Sequence, residues 1–215
     1  MPPLRPIVYG ILALICFALD IAGVTTNIVK YESTVRTSLT TFVTVKVEST
    51  IWKRCVEVGG SKTCQDITSN EDCVMQRIRT LRAFGIMSII VAFIGGLGLA
   101  AVDFLGKLPV GTDKIILAAV AFVLFVFQLI YWAIVAGLWN EGCGDARAFK
   151  ELPNSDYGPS GPLFIASWVM SILMIAAAFL LRGPAREVTE VAAKTEPRTS
   201  EPVEPVSATD QPVVA

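Results

Sequence analysis

The chain has 215 residues, and none of them is histidine. This absence excludes Ser-His-Asp and Cys-His nucleophiles, general acid–base chemistry by histidine, and metal sites with histidine ligands. The sequence also contains no Gly-rich phosphate-binding loop placed after a strand. We therefore expect a protein that is not an enzyme and that uses no cofactor, no metal ion and no small-molecule substrate.

Charge and glycosylation signals are scarce as well. Charged residues make up 17% of the chain, against about 25% in an average soluble domain. The formal net charge is −1, which gives no reason to expect a nucleic-acid partner. No asparagine begins an Asn-x-Ser/Thr sequon, so N-glycosylation is expected to be absent.

The apolar residues gather in four blocks, each long enough to cross a lipid bilayer. One crossing needs about 20 apolar residues. Asp20 is the only formal charge inside the blocks, which lie at residues 7–28, 83–102, 115–139 and 163–181. Because a spanning segment must satisfy its own backbone hydrogen bonds, the sequence predicts an all-α membrane protein, a four-helix transmembrane bundle.

The segments between these blocks differ in length and composition. Residues 29–82 form a long first loop, 103–114 a short second loop and 140–162 a third loop of intermediate length. The four-span domain is expected to cover residues 1–182. Residues 183–215 are rich in proline and glutamate, a composition that cannot bury a core, so we expect a disordered cytoplasmic tail.

Lysine and arginine do not decide the orientation of the spans. Near the span ends, one side carries Arg5, Lys107, Lys114, Arg182, Arg186 and Lys194, and the other Lys30, Arg36, Arg77, Arg79, Arg82, Arg147 and Lys150. These charges are balanced, and the positive-inside rule gives no answer. Four of the five cysteines lie in the first and third loops, which is typical of an oxidising compartment. We expect these loops outside the plasma membrane and both termini in the cytoplasm.

Residues 55–64 read CVEVGGSKTC and predict a β-hairpin. A two-residue turn at Gly59-Gly60 supplies the positive φ that type I′ and II′ turns require. The opposed pairs in that register are Val58 with Ser61, Glu57 with Lys62, Val56 with Thr63 and Cys55 with Cys64. Since directly opposed residues lie close enough for a disulfide, we expect a Cys55–Cys64 bond and a favourable Glu57–Lys62 pair.

Upstream of the hairpin, residues 42–49 read FVTVKVES and alternate between apolar and polar positions. This period of two predicts a half-exposed strand that joins the hairpin in a small extracellular sheet. Cys73 and Cys143 remain in the outer loops. Two alternatives stay open for them, a second disulfide across the two loops or two unpaired or exchanged thiols.

The segment 51–55 reads IWKRC, and Cys64 follows it after eight residues. This spacing of Trp52, Cys55 and Cys64 resembles the W-x-x-C…C motif in the first extracellular loop of the claudin superfamily of four-span proteins. Within that superfamily, residues 77–90 and 157–181 are similar to the amastins, surface proteins of trypanosomatid parasites.

The resemblance covers about residues 5–182 and implies a four-pass protein of the surface membrane with a role in parasite–host contact. It further implies that Trp52 rests near the membrane surface and anchors the extracellular sheet. The partners it implies are the lipid bilayer, sister copies of the chain, and host surface or membrane components.

Asp20 is unusual because a carboxylate inside a membrane costs several kcal/mol unless it is neutralised or paired. The amide of Gln128 is a suitable partner. One hypothesis is an ion or proton site formed by this pair. The alternative is a hydrogen-bonded packing residue that faces the other helices.

The second span contains a stripe of small residues and is preceded by a cluster of basic residues. Ala92, Gly96 and Ala100 recur every four residues, a spacing that allows helices to approach closely. Packing within the chain is preferred to a dimer contact for this stripe. The basic residues Arg77, Arg79 and Arg82 precede the span. One hypothesis is that they attract anionic lipid headgroups. The alternative is that they cap the helix end and extend their charges to the membrane–water interface.

Two functional hypotheses follow. The first is a non-enzymatic surface protein of the amastin and claudin type, whose outer loops mediate membrane or host-cell contact or organise the surface membrane. The second is a transporter or an accessory subunit of a channel, with Asp20 and Gln128 in a polar path.

Overall fold

The computed structural model shows four long apolar helices and a five-stranded antiparallel sheet. We call the end of the bundle that carries the sheet the sheet end, and the opposite end the terminal end. Cys143 and the predicted tail, apart from Gly183, lie outside the described residues. The described residues are 4–36, 42–67, 72–109, 111–141, 148–181 and 183.

Each predicted block coincides largely with one helix that is long and apolar enough to cross a membrane, although the first block, 7–28, runs three residues past the end of its helix at Thr25. The helices are α1 Leu4–Thr25, α2 Asp72–Ile90, α3 Gly98–Phe104, α4 Asp113–Asn140 and α5 Ser160–Leu180. A π-helical segment, Val91–Leu97, connects α2 to α3, so that Cys73–Phe104 forms one span of 32 residues. The predicted four-helix bundle is thus confirmed.

The second span is longer than the predicted 83–102. At about 1.5 Å per residue, its 32 residues measure about 48 Å, which exceeds the hydrocarbon thickness of about 30 Å. The additional helix begins at Asp72 and includes the polar residues Gln76, Arg77 and Arg79. Hydropathy detects only the part of a helix that lies in lipid, and for this reason the sequence analysis placed the start of the helix too late.

The stripe of small residues on the second span packs within the chain. Ala92, Gly96 and Ala100 are all buried. A Cβ atom built on Gly96 would lie 2.9 Å from the Cβ of Ala13, so only glycine allows α1 to approach this closely. The burial of the stripe favours packing inside one chain.

The sheet contains more strands than the sequence analysis predicted. The strands are β1 Val29–Arg36, β2 Phe42–Ser49, β3 Lys53–Val58, β4 Ser61–Asp66 and β5 Ser155–Tyr157, in the order β4-β3-β2-β1-β5. Strand β2 and the β3–β4 hairpin are confirmed. Strand β1 was missed, and so was β5, which comes from the third loop and pairs with β1.

The hairpin has the predicted register, with Cys55 opposite Cys64 and Val58 opposite Ser61. Gly59 and Gly60 both have positive φ, 59° and 86°, as a type I′ turn requires. Cys55 and Cys64 form a disulfide, and their Cα atoms are 4.0 Å apart, close to the spacing of pairs that do not exchange backbone hydrogen bonds.

The prediction for the charge pair needs correction. Glu57 does lie opposite Lys62, but the Lys62 ammonium reaches across β3 to Glu48 of β2 at 2.7 Å. The long lysine side chain can pass over a whole strand on one face of the sheet, so a direct cross-strand position does not fix its partner.

The bundle core near the sheet end is built around stacked aromatic rings. Tyr131 of α4 and Phe164 of α5 are fully buried, with ring centres 3.7 Å apart. Gly23 of α1 makes room for them, since a Cβ atom there would lie 2.6 Å from the Phe164 ring. These contacts place three spans side by side beneath the sheet.

Candidate functional site

One face of the sheet carries charges that pair between strands. Lys30 of β1 and Lys62 of β4 both contact Glu48 of β2, at 3.2 and 2.7 Å. A second pair joins Lys46 of β2 to Glu32 of β1 at 3.0 Å. Solvent weakens pairs this exposed, so they add little stability. Their effect is to present a face of alternating sign rather than a patch of one charge.

These contacts keep the face ionised near neutral pH. The hydrogen bond from Lys62, followed by the one from Lys30, holds the pKa of the Glu48 carboxyl below its ordinary value. The hydrogen bond to Glu48 raises the pKa of Lys62, and the bond to Glu32 raises that of Lys46. The paired charges therefore persist through the physiological pH range.

The opposite face is rich in valine, and its exposure increases with distance from the bundle. Within β1, Val29 is 1% exposed and Val35 is 47% exposed. At the same distal end, Val58 beside the turn is 43% exposed and Phe42 is 63% exposed. Phe42 lies on the charged face, where the Arg36 guanidinium is 5.8 Å from its ring centre. We call Val35, Phe42 and Val58 the apolar tip.

Strand β4 forms an open edge of the sheet. All six of its residues are exposed, and among the strands of the described residues it neighbours β3 alone. The residues that flank a two-residue hairpin turn exchange backbone hydrogen bonds, and the pairs alternate from there. By this alternation, the backbone groups of Lys62, Cys64 and Asp66 point away from β3 and are available to another strand.

Trp52 and Arg82 connect the base of the sheet to the second span. The Arg82 guanidinium donates from Nε to the carbonyl oxygen of Ile51 at 2.8 Å and lies 5.1 Å from the centre of the Trp52 ring. Ile51 is fully buried, and the backbone of Trp52 and Lys53 is fixed by the Thr50 hydroxyl at 3.1 and 2.9 Å. Arg82 is thus a bridge between loop and helix rather than a lone charge at a helix end.

The third loop fixes the sheet to α5. The backbone nitrogen of Gly158 donates to the carbonyl oxygen of Ile28 at 2.8 Å, and that of Ser160 to Asn27 at 3.3 Å. The Trp139 ring meets the Tyr157 ring edge to face, with centres 5.1 Å apart. Strand β5, which pairs with β1, and these contacts connect the sheet to α4 and α5.

A cluster of polar side chains lies in the centre of the bundle. The amide nitrogen of Gln128 is 3.2 and 3.1 Å from the two carboxylate oxygens of Asp20 and 2.7 Å from the Ser167 hydroxyl. The Ser171 hydroxyl donates to the amide oxygen of Gln128 at 2.8 Å. Ser88 also contacts the Asp20 carboxylate. We call these five residues, all with 0% exposure, the polar cluster.

The polar cluster joins all four spans, because α1, the second span, α4 and α5 each contribute to it. A polar group without a partner is costly in hydrocarbon, so such a cluster favours one arrangement of the helices. The Asp20–Gln128 contact that the sequence analysis named is present. Among the described residues, no group of three or more cysteine or acidic side chains is placed to hold a metal ion.

A second buried charge cluster lies at the terminal end, and sequence reasoning missed it. The Arg5 guanidinium makes two hydrogen bonds to Asp103, at 3.0 and 2.7 Å, and one to Asp113 at 2.5 Å. Arg5 is 1% exposed and Asp103 is fully buried. A Cβ atom on Gly183 would lie 2.6 Å from the same guanidinium. The only sequence signal was that these charges flank the predicted spans.

The cysteines divide into two groups. Cys16 is a free thiol buried in the bundle, whereas Cys55, Cys64 and Cys73 are disulfide-bonded. Cys143 lies outside the described residues, so the pairing of Cys73 with Cys143 stays a prediction. The bonded cysteines are all at the sheet end.

Comparison with known proteins gives one finding. No curated protein matches the chain. The family model described as amastin surface glycoprotein matches residues 15–178, which is 164 of the 215 residues and includes the sheet, half of the first span and nearly all of the other three. The family is not an enzyme family. The chain belongs to the amastin surface glycoprotein family.

Proposed function

We propose that the chain is a non-enzymatic protein of the plasma membrane whose sheet faces outward and contacts a host-cell surface, an apposed membrane or a sister molecule. The observation that carries the proposal is the sheet itself. It is fixed to the spans at its base, locked by Cys55–Cys64, and exposed at its distal end and along β4. Such a unit is suited to presenting a rigid surface for contact.

The disulfides support the outward orientation. They form in oxidising environments and are rare in the cytosol. Within the described part of the chain, the disulfide-bonded cysteines lie at the sheet end, and the free Cys16 lies inside the bundle. An outward sheet end places both termini in the cytoplasm, because four spans return the chain to its starting side.

The apolar tip is the part of the sheet best suited to make contact. The charges on the neighbouring face are already paired with one another, so they offer little net attraction to a charged partner. Exposed apolar side chains rimmed by polar residues are typical of interaction sites. Phe42 and Val58 therefore contribute the contact area, and the paired charges keep the sheet soluble.

The orientation is tested first, on intact cells that display the full chain. A membrane-impermeant thiol reagent is expected to label Cys55 and Cys64 from outside only after reduction. Labelling that requires permeabilisation would reverse the orientation and remove the basis for the proposal.

The contact itself is then tested by adhesion of these cells to phospholipid vesicles and to cell monolayers. The double variant Phe42→Ser, Val58→Ser is expected to lower adhesion at equal surface display. The control Thr34→Ser, Thr44→Ser changes exposed residues of β1 and β2 at the same end of the sheet and should leave adhesion unchanged. Equal adhesion by both variants would contradict a role for the apolar tip.

A second candidate function, a transporter or channel accessory subunit, rests on the buried Asp20 carboxylate and its Gln128 partner. Asp20→Asn separates the two proposals because it removes the charge and keeps the shape. Lost ion or solute flux at normal surface display would favour transport. Unchanged flux would leave the polar cluster with a packing role only.

A further inference from the structure

A groove on the surface of α4 runs down from the sheet end. It has a volume of about 560 Å³, within the range of about 300–1,000 Å³ typical of ligand pockets. Its floor is apolar and includes Ile130, Trp132 and Ile134. Gly137 provides the recess, and Arg77 of the second span lies over it, since a Cβ atom on Gly137 would be 3.4 Å from the Arg77 Nη1.

The length of the groove matches one leaflet of a bilayer. Its lining residues extend along α4 from Ile130 to Glu141. Eleven helical steps of about 1.5 Å give about 16 Å. Half of a hydrocarbon core of about 30 Å is about 15 Å. A ligand lying in the groove would therefore reach from the level of the headgroups to the middle of the bilayer.

The rim of the groove is polar and carries both signs of charge. Arg77 contributes a guanidinium, and Glu141, which is exposed, contributes a carboxylate. Guanidinium groups bind phosphate oxygens through pairs of hydrogen bonds. A headgroup with a phosphate and an amine would match both charges, whereas a purely anionic headgroup would meet repulsion from Glu141.

We propose that this groove binds one phospholipid from the leaflet at the sheet end. The phosphate contacts Arg77, the headgroup amine faces Glu141, and one acyl chain lies along Ile130, Trp132 and Ile134. Arg77 then has a role different from that of Arg82, which bridges to the sheet, and from that of Arg79, which does not line the groove. The assignment does not depend on the proposed contact function.

The test uses the full chain purified in mild detergent, with phosphatidylethanolamine added and bound lipid counted by native mass spectrometry. Gly137→Leu fills the groove, and Arg77→Gln removes the phosphate ligand. Each is expected to lower lipid retention about tenfold, which corresponds to about 1.4 kcal/mol.

Three control variants make the outcome interpretable. Gly137→Ala adds a Cβ at ordinary contact distance, and Gly98→Leu adds the same bulk where a Cβ meets nothing within 4 Å. Arg79→Gln removes a neighbouring charge. All three should retain lipid as the unchanged chain does.

Two results would overturn the proposal. Full retention in Gly137→Leu would show that lipid binds elsewhere, and equal losses in Gly98→Leu and Arg79→Gln would show annular lipid only. Phosphatidylglycerol has the phosphate but no amine. If it bound as tightly as phosphatidylethanolamine, the pairing of the amine with Glu141 would be refuted.

Discussion

The polar cluster allows a quantitative test of whether Asp20 and Gln128 hold the helices together. Replacing Gln128 by Met keeps the length of the side chain but removes its contacts with Asp20, Ser167 and Ser171. Hydrogen bonds between membrane helices contribute about 0.6 kcal/mol each on average. The loss of three partners is therefore expected to lower the free energy of unfolding by about 2 kcal/mol.

A double-mutant cycle isolates the part of this loss that belongs to the pair. Asp20→Leu alone removes the carboxylate contacts with Gln128, Ser167 and Ser88 but leaves Gln128 bonded to Ser167 and Ser171, so it should cost about as much as Gln128→Met. In Gln128→Met the carboxyl of Asp20 stays buried without its amide donor, a penalty that disappears when Asp20 is also replaced. We expect the double variant to be more stable than additivity predicts, by at least about 0.5 kcal/mol.

The assay is reversible unfolding in mixed micelles, followed by far-ultraviolet circular dichroism as the denaturing detergent fraction rises. Cys16→Ala is a suitable control, because a thiol is a weak donor and its contacts are long, 3.6 Å to the Ser167 carbonyl oxygen, 3.8 Å to Ser171 and 3.9 Å to Met174. Strict additivity of the two substitutions, or a Gln128→Met that unfolds like the unchanged chain, would refute the reasoning that the cluster stabilises the bundle.

Three further predictions concern the sheet and the surface of the chain. Gly60→Val places a β-branched residue at a φ of 86°, and the resulting strain of about 1–3 kcal/mol should speed hydrogen exchange in β3 and β4. The control Gly59→Asn should be tolerated, because asparagine readily adopts a φ near 59°. The pKa of Glu48 is depressed from its ordinary value of 4.5, so its contribution to stability is present above that value and lost as pH falls through the folded-state pKa. Protection factors in β2, which correct for the intrinsic pH dependence of amide exchange, should therefore fall on acidification, and Glu48→Gln should reduce that fall. An amidase that removes N-linked glycans should leave the mobility of the chain unchanged, since it has no sequon, and a shift would contradict the sequence reasoning.

The hairpin could be predicted in full because its information is local. Gly59-Gly60 selects the turn, the turn sets the register, and the register places Cys55 opposite Cys64. Strand β1 had a weaker local signal, because Val29, Tyr31 and Val35 share one face but Ser33 interrupts the alternation, and the sequence analysis left these residues in the first loop. Strand β5 has three residues and is defined only by pairing with β1, so its sequence contains no period to detect.

The polar cluster could be predicted in part for a different reason. A charge within an apolar block is conspicuous, and so is an amide, so Asp20 and Gln128 were identified from the sequence. Serine is common in membrane helices, and nothing in the sequence separates Ser167 and Ser171 from serines that face lipid. Their role depends on how α5 is rotated against its neighbours, which is a property of packing.

The polar start of the second span, which extends beyond the hydrocarbon, could not be predicted from the sequence because its stability depends on tertiary contacts. A polar helical segment of three turns is marginal in water by itself, because nucleation is costly and few hydrogen bonds repay it. Here it is stabilised by contacts on two sides. A helix rotates by about 100° per residue, so residues 77 and 82 point in directions about 140° apart. Arg82 accordingly contacts Ile51 and the Trp52 ring, and Arg77 lies over Gly137 of α4. Because tertiary contacts rather than apolar composition stabilise this segment, no hydropathy window could have located its first residue.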